Sequence, residues 1–126
     1  MINKLLNYVQ NTKPINQRVI MIAIITKGGR VFSIGHNNKY RLSFPFKKEN
    51  GYSSLSGQHA EMDAIRKVYS SQLKGTTITV LGVNSRSNNQ VMSRPCNACL
   101  NAIKEVRIKR IIYFDKEGKK YIERIK

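Results

Sequence analysis

The sequence predicts an α/β fold whose last two strands run antiparallel. Strand-like and helix-like periodicities alternate along the 126 residues. The strand-like runs are short and rich in Val, Ile and Thr. A tight turn of a few residues separates the final two runs, whereas a parallel pair would need a crossover of a dozen residues or more. At this length the chain is expected to form a single domain, residues 1–126, with one packed core.

The elements are expected in the following order. Residues 1–11 carry Ile2, Leu5, Leu6 and Val9 at helical spacing, and Lys13-Pro14 ends that helix. Residues 18–26 are apolar and β-branched throughout, as in a central strand buried on both faces. Lys27-Gly28-Gly29-Arg30 reads as a hairpin turn into a second, antiparallel strand at 31–34. Residues 36–57 show no clear periodicity and read as a long loop, of a length that is usually functional or mobile. Met62, Ile65 and Tyr69 recur at three and four along a helix over 58–72, with His59 and Glu61 in its first turn and Lys74-Gly75 closing it. A strand over 76–83 follows, then a polar loop over 84–94. Pro95 leads into a helix from Cys96 to about Glu105, with Cys99, Leu100 and Ile103 facing inward. Strands at 109–115 and 119–125 flank the turn Asp115-Lys116-Glu117-Gly118.

Composition bounds the class. A hydrophobic content of 40% argues for a globular chain. The longest apolar run, 19–25, is too short to span a membrane, and no membrane association is expected. Lys4 is not followed by a signal-peptide core, so a cytoplasmic or nuclear location is expected. Twenty-three basic against seven acidic residues give a net charge of +16. That surplus predicts attraction to polyanions, most simply nucleic acid. A merely solubilising surface is the plainer alternative.

The chemistry concentrates in Gln58-His59-Ala60-Glu61 and Pro95-Cys96-Asn97-Ala98-Cys99. Two cysteines three apart make a poor disulfide framework and a good metal or redox pair. A thioredoxin-like pair belongs after an early strand, whereas this one lies three quarters of the way along the chain. His59, Cys96 and Cys99 supply three zinc ligands, leaving a fourth tetrahedral position for water, as at catalytic zinc. A closed structural site would need a fourth ligand, for which His36 is the sole remaining histidine. Glu61 suits a proton carrier near the metal; its plainer role is a favourable charge in a helix first turn.

Histidine-any-glutamate followed by proline-cysteine-any-any-cysteine resembles the signature of the zinc-dependent cytidine and deoxycytidylate deaminase superfamily. The resemblance runs from about Arg18 to the end. It implies a three-layer fold, a five-stranded mixed sheet with helices on both faces. It also implies zinc as cofactor and hydrolytic deamination of cytosine to uracil in a nucleoside, nucleotide or single-stranded nucleic acid. Hydroxide generated at zinc would attack the ring while Glu61 shuttles protons. Ala60 would offer its backbone amide to the pyrimidine carbonyl. Asn37, in Gly35-His36-Asn37, would hold the ribose. The antiparallel final strands place the chain with the branch that includes tetrameric cytidine deaminases and bacterial toxin deaminases, and a homo-oligomer is compatible with that. Enzymes of free cytidine carry a glutamate where Lys39 stands and a cysteine where His59 stands. Both departures weigh against free cytidine, and Lys39 suits a phosphate. Tyr40, Phe44, Phe46 and Tyr52, with Lys39, Arg41, Lys47, Lys48, Arg86 and Arg94, suit the stacking of bases and the holding of a backbone near the metal, and the plainer alternative is that Phe44 and Phe46 anchor the loop on the core. The competing function is a basic nucleic-acid-binding protein on a deaminase fold with little or no catalysis.

Overall fold

The computed structural model describes residues 19–37 and 59–125. Strand β1 (Val19–Lys27) pairs antiparallel with β2 (Arg30–His36). Gly28 and Gly29 both have positive φ, 58° and 79°, as a two-residue hairpin turn matched to strand twist requires. On its other side β1 pairs antiparallel with β3 (Thr77–Asn84) over eight positions, Val19 opposite Asn84 through Thr26 opposite Thr77. β3 pairs parallel with β5 (Arg110–Phe114), and β5 pairs antiparallel with β6 (Lys120–Arg124). The order is β2-β1-β3-β5-β6, a mixed sheet, with the short β4 (Gln90–Val91) attached to β3.

The antiparallel final pair is as expected, and the turn shows why. Gly118 takes φ 84°. The Asp115 carboxylate accepts from the Glu117 and Lys119 backbone N–H groups, each at 2.9 Å, and from the Tyr121 hydroxyl at 3.1 Å. Tyr121 also stacks on its cross-strand partner Tyr113, with ring centroids 5.2 Å apart.

Alternation along the strands sorts the buried residues into two clusters. Ala23 and Ile25 of β1, Ile78 and Val80 of β3, and Ile111 of β5 join the helices in one. Ile20, Ile22 and Ile24, Leu81 and Val83, and Phe114 form the other. Helices α1 (Ala60–Arg66), α2 (Ser70–Leu73) and α3 (Asn97–Glu105) all contribute to the first cluster. The second consists of strand residues among those described. The helix expected over residues 1–11 lies outside the described residues.

Two expectations are corrected. The helix over 58–72 is broken: α1 stops at Arg66, and α2 starts afresh at Ser70. Tyr69, expected within that helix, is the extended residue before α2 and is 80% exposed. Val68, Tyr69, Ser70 and Ser71 are middling or poor helix formers in succession, and serines favour helix starts. The loop over 84–94 contains β4. Its turn is closed by Asn88 at φ 62°, by the Asn84 carboxamide accepting from Arg86 N–H at 2.9 Å, and by Asn84 N–H donating to Asn89 C=O at 2.8 Å. Asparagine tolerates the left-handed region, which makes the reversal possible without glycine.

Candidate metal centre

The three candidate ligands sit at the starts of two helices. His59 is the residue before α1, with extended backbone, and its carbonyl accepts the Asp63 N–H at 3.0 Å. Cys96 occupies the same place before α3, and its carbonyl accepts the Leu100 N–H at 2.8 Å. Such positions favour Ser, Thr, Asp or Asn, whose side chains cap the free N–H groups. Here neither side chain makes a cap hydrogen bond. Both point instead to a shared centre. His59 Nδ1 lies 3.5 Å from Cys99 Sγ and 3.8 Å from Cys96 Sγ. Around tetrahedral zinc, with Zn–S ~2.3 Å and Zn–N ~2.05 Å, the N···S edge is about 3.6 Å. The side chains thus have the spacing that zinc requires. His36, which a closed site would need, is not part of the group.

Cys99 is buried and Cys96 exposed. Hydrogen bonding with Cys99 first, and with His59 second, brings the Cys96 thiol down to about 3. Cys96 therefore offers the thiolate that a metal binds. Glu61 is 4% exposed, and its carboxyl hydrogen-bonds the Cys99 side chain. Burial pushes this carboxyl above its ordinary range, against the lowering effects of its own backbone N–H, His59 and Cys99. Glu61 is not one of the grouped ligands. Ala60, between His59 and Glu61, is buried in the first position of α1.

The start of α1 is clamped to the edge strand β2. Gly35 leaves room for it: a Cβ there would stand 2.2 Å from Ala60 O and 2.3 Å from Ala64 N. The Ser33 hydroxyl donates to Ala64 C=O at 2.8 Å, and Lys67 Nζ to Ile34 C=O at 2.9 Å. Asp63, 2% exposed, accepts the His36 N–H at 3.0 Å and pairs with Lys67 at 3.0 Å and with Arg66. Burial alone would raise the Asp63 carboxyl; these donors and cations overcome it and hold it below its usual range. His36 is pulled down by burial first and Lys67 second, against Asp63.

Cys96 has its own anchor. Ser93, fully buried, sits between β3 and β5 where their direct pairing has ended. Its hydroxyl lies 2.7 Å from Val80 C=O, 2.9 Å from Phe114 N–H and 3.2 Å from Phe114 C=O. Its N–H also donates to Phe114 C=O at 2.9 Å. The chain entering Pro95-Cys96 is thereby fixed to the sheet.

Sequence reasoning missed Ser93 and Asp63. Asp63 left a faint signal, an acid with Arg66 and Lys67 three and four residues on. Ser93 left none. Asn37 is placed at the end of β2. Its side-chain carbonyl accepts Met21 N–H and its amide donates to Val19 C=O, each at 2.9 Å, continuing the ladder to β1. Most of the expected aromatic and basic loop, including Lys39, Arg41, Lys47 and Lys48, lies outside the described residues. Arg86 is exposed in the β3–β4 turn, and Arg94 pairs with Glu123 at 3.4 Å.

Residues 1–115 match the family model of the cytidine and deoxycytidylate deaminase zinc-binding region. The chain belongs to this family. The matched span includes His59, Glu61, Cys96 and Cys99 and stops before β6. No curated protein matches the chain. A zinc-binding deaminase domain whose His-Cys-Cys group is positioned for a metal is a zinc-dependent deaminase in general type. No described helix is long and apolar enough to cross a membrane.

Proposed function

We propose that the protein hydrolyses cytosine to uracil within a nucleotide or a single-stranded nucleic acid. The observation that carries this reading is a buried Glu61 against Cys99 but outside the ligand group of His59, Cys96 and Cys99. A carboxyl in that place is free to move protons instead of binding metal. Zinc, when held by the three side chains, lowers the pKa of a water toward ~7 and so supplies the nucleophile. Glu61 takes the proton released as that water adds to the ring carbon bearing the amine. It delivers that proton to the adjacent ring nitrogen, then takes the proton of the newly added hydroxyl and passes it to the amino group, which leaves as ammonia while the hydroxyl oxygen becomes the uracil carbonyl. Burial of Glu61 keeps the shuttled proton from bulk water. By the family resemblance, the Ala60 amide would hold the pyrimidine carbonyl and Asn37 the sugar. The charge of +16 and Lys39 favour a phosphate-bearing substrate over a free nucleoside.

The test is to incubate zinc-loaded protein with cytidine, deoxycytidylate and a cytosine-bearing single-stranded oligonucleotide, and to weigh the products. Replacement of amine by carbonyl oxygen in the nucleotide or oligonucleotide is the expected result. Conversion of cytidine alone would overturn the substrate assignment. Tight oligonucleotide binding with no product would favour a binding protein on this fold.

A further inference from the structure

At the far end of α3 from Cys96 lies a cavity of about 500 Å³. Ten residues of helical rise put it about 15 Å from the metal centre. Its floor is aliphatic, Ile108 and Ile125, and its rim carries Lys74, Lys104, Arg107 and Lys109. Lys27 stands beside it, its Nζ 3.4 Å from Lys74 C=O. Among the described residues no carboxylate side chain lines the cavity, and none of the four rim cations makes an ion pair. Like charges gathered without counter-charges repel one another, so the arrangement is favourable chiefly when an anion lies among them.

The rim is held by backbone. Gly75 N–H donates to Arg107 C=O at 3.0 Å, joining two residues of positive φ, 80° and 64°. Lys109 N–H donates to Thr76 C=O, and Ile125 N–H to Lys109 C=O, each at 2.8 Å. Three chain segments are thus locked together, and the cations project from a fixed frame. Every backbone N–H named here is already used, so an anion must be bound by side chains. Flexible ammonium and guanidinium groups around an open aliphatic floor suit a chain of separate phosphates, each met by one cation, with sugar or base resting on Ile108 and Ile125.

We infer that this cavity is a docking surface for the phosphate backbone of a single-stranded nucleic acid, separate from the metal centre. The measurement is lysine acetylation of zinc-loaded protein with and without a single-stranded oligonucleotide, read by mass at each lysine. Binding is read without turnover, so the result stands apart from the deaminase reading. Lys74, Lys104 and Lys109 should be protected by the oligonucleotide, and less so by a mononucleotide at the same phosphate concentration. Equal protection by the mononucleotide would mean a single-nucleotide pocket and overturn the docking surface. Unchanged acetylation with bound oligonucleotide would overturn it as well. A second readout is the salt dependence of oligonucleotide affinity in K104Q/R107Q/K109Q. Three lost phosphate contacts at ~0.7 each should flatten the log–log slope by about 2. A slope equal to wild type contradicts the proposal.

Discussion

Replacing Gly35 with alanine should disable the metal centre from a residue that touches no metal. The added Cβ would lie 2.2 Å from Ala60 O and 2.3 Å from Ala64 N, whereas ordinary contact begins at 3.4 Å. Backbone on both sides cannot swing aside as a side chain can. To make room, α1 must withdraw from β2 by about 1.2 Å, the shortfall in that contact. The withdrawal stretches the Ser33–Ala64, Lys67–Ile34 and His36–Asp63 hydrogen bonds, now 2.8 to 3.0 Å. Overpacking costs about 1–3 kcal/mol, and each hydrogen bond lost about 1 kcal/mol more. A net loss of about 3 kcal/mol lowers Tm by on the order of 10 °C in a domain of this size. His59 sits at the start of α1 and moves with it, while Cys96 and Cys99 remain on α3. Metal–ligand distances tolerate only about 0.2 Å. Thermal unfolding and zinc titration of Gly35→Ala should therefore show a lower Tm and at least tenfold weaker zinc binding. An alanine variant with wild-type Tm and zinc affinity would refute the reasoning.

Other substitutions separate chemistry from support. Glu61→Gln should keep zinc and fold but remove nearly all turnover, because an amide cannot shuttle protons; loss of zinc in elemental analysis would make Glu61 a ligand instead. Asp63→Asn should cost about 1–2 kcal/mol at neutral pH by weakening its hydrogen bonds to His36 N–H and Lys67. The Asp63 carboxyl is held below 3.8, so its contribution is complete above that pH and is lost as pH falls through the folded value. Denaturant curves of wild type and variant should accordingly converge in acid; a constant gap would contradict the charge-based account. Ser93→Ala leaves the buried Phe114 N–H without its hydroxyl acceptor, at a cost of about 1–3 kcal/mol. An unchanged midpoint in urea would show that Ser93 does not anchor the segment.

Much of the metal centre was legible because its signals are local. Cys96 and Cys99 are three apart, and His59 and Glu61 share one short stretch. The hairpins were legible for the same reason: Gly28-Gly29 and Gly118 sit where the turns need positive φ. What was missed depends on segments that meet only in the fold. Gly35 read as part of a sugar-binding motif, yet its physical demand is the backbone of α1 passing against it. Ser93 read as loop, and its purpose appears only when Val80 and Phe114 stand on either side. The break at Val68-Tyr69 was obscured by Met62, Ile65 and Tyr69, which continue the helical spacing although the chain turns before Tyr69. β4 is too short for periodicity to reveal, since a two-residue strand shows no alternation.

Following the oxygen reads the hydrolysis itself. Zinc-loaded protein is incubated with deoxycytidylate and with a cytosine-bearing oligonucleotide in water enriched in heavy oxygen, with Glu61→Gln in parallel. The wild type should release uracil carrying one heavy oxygen, and the variant almost none at equal zinc content. Fully zinc-loaded wild type that releases no uracil from either substrate, or a Glu61→Gln variant that labels as fast, would contradict the proposed mechanism.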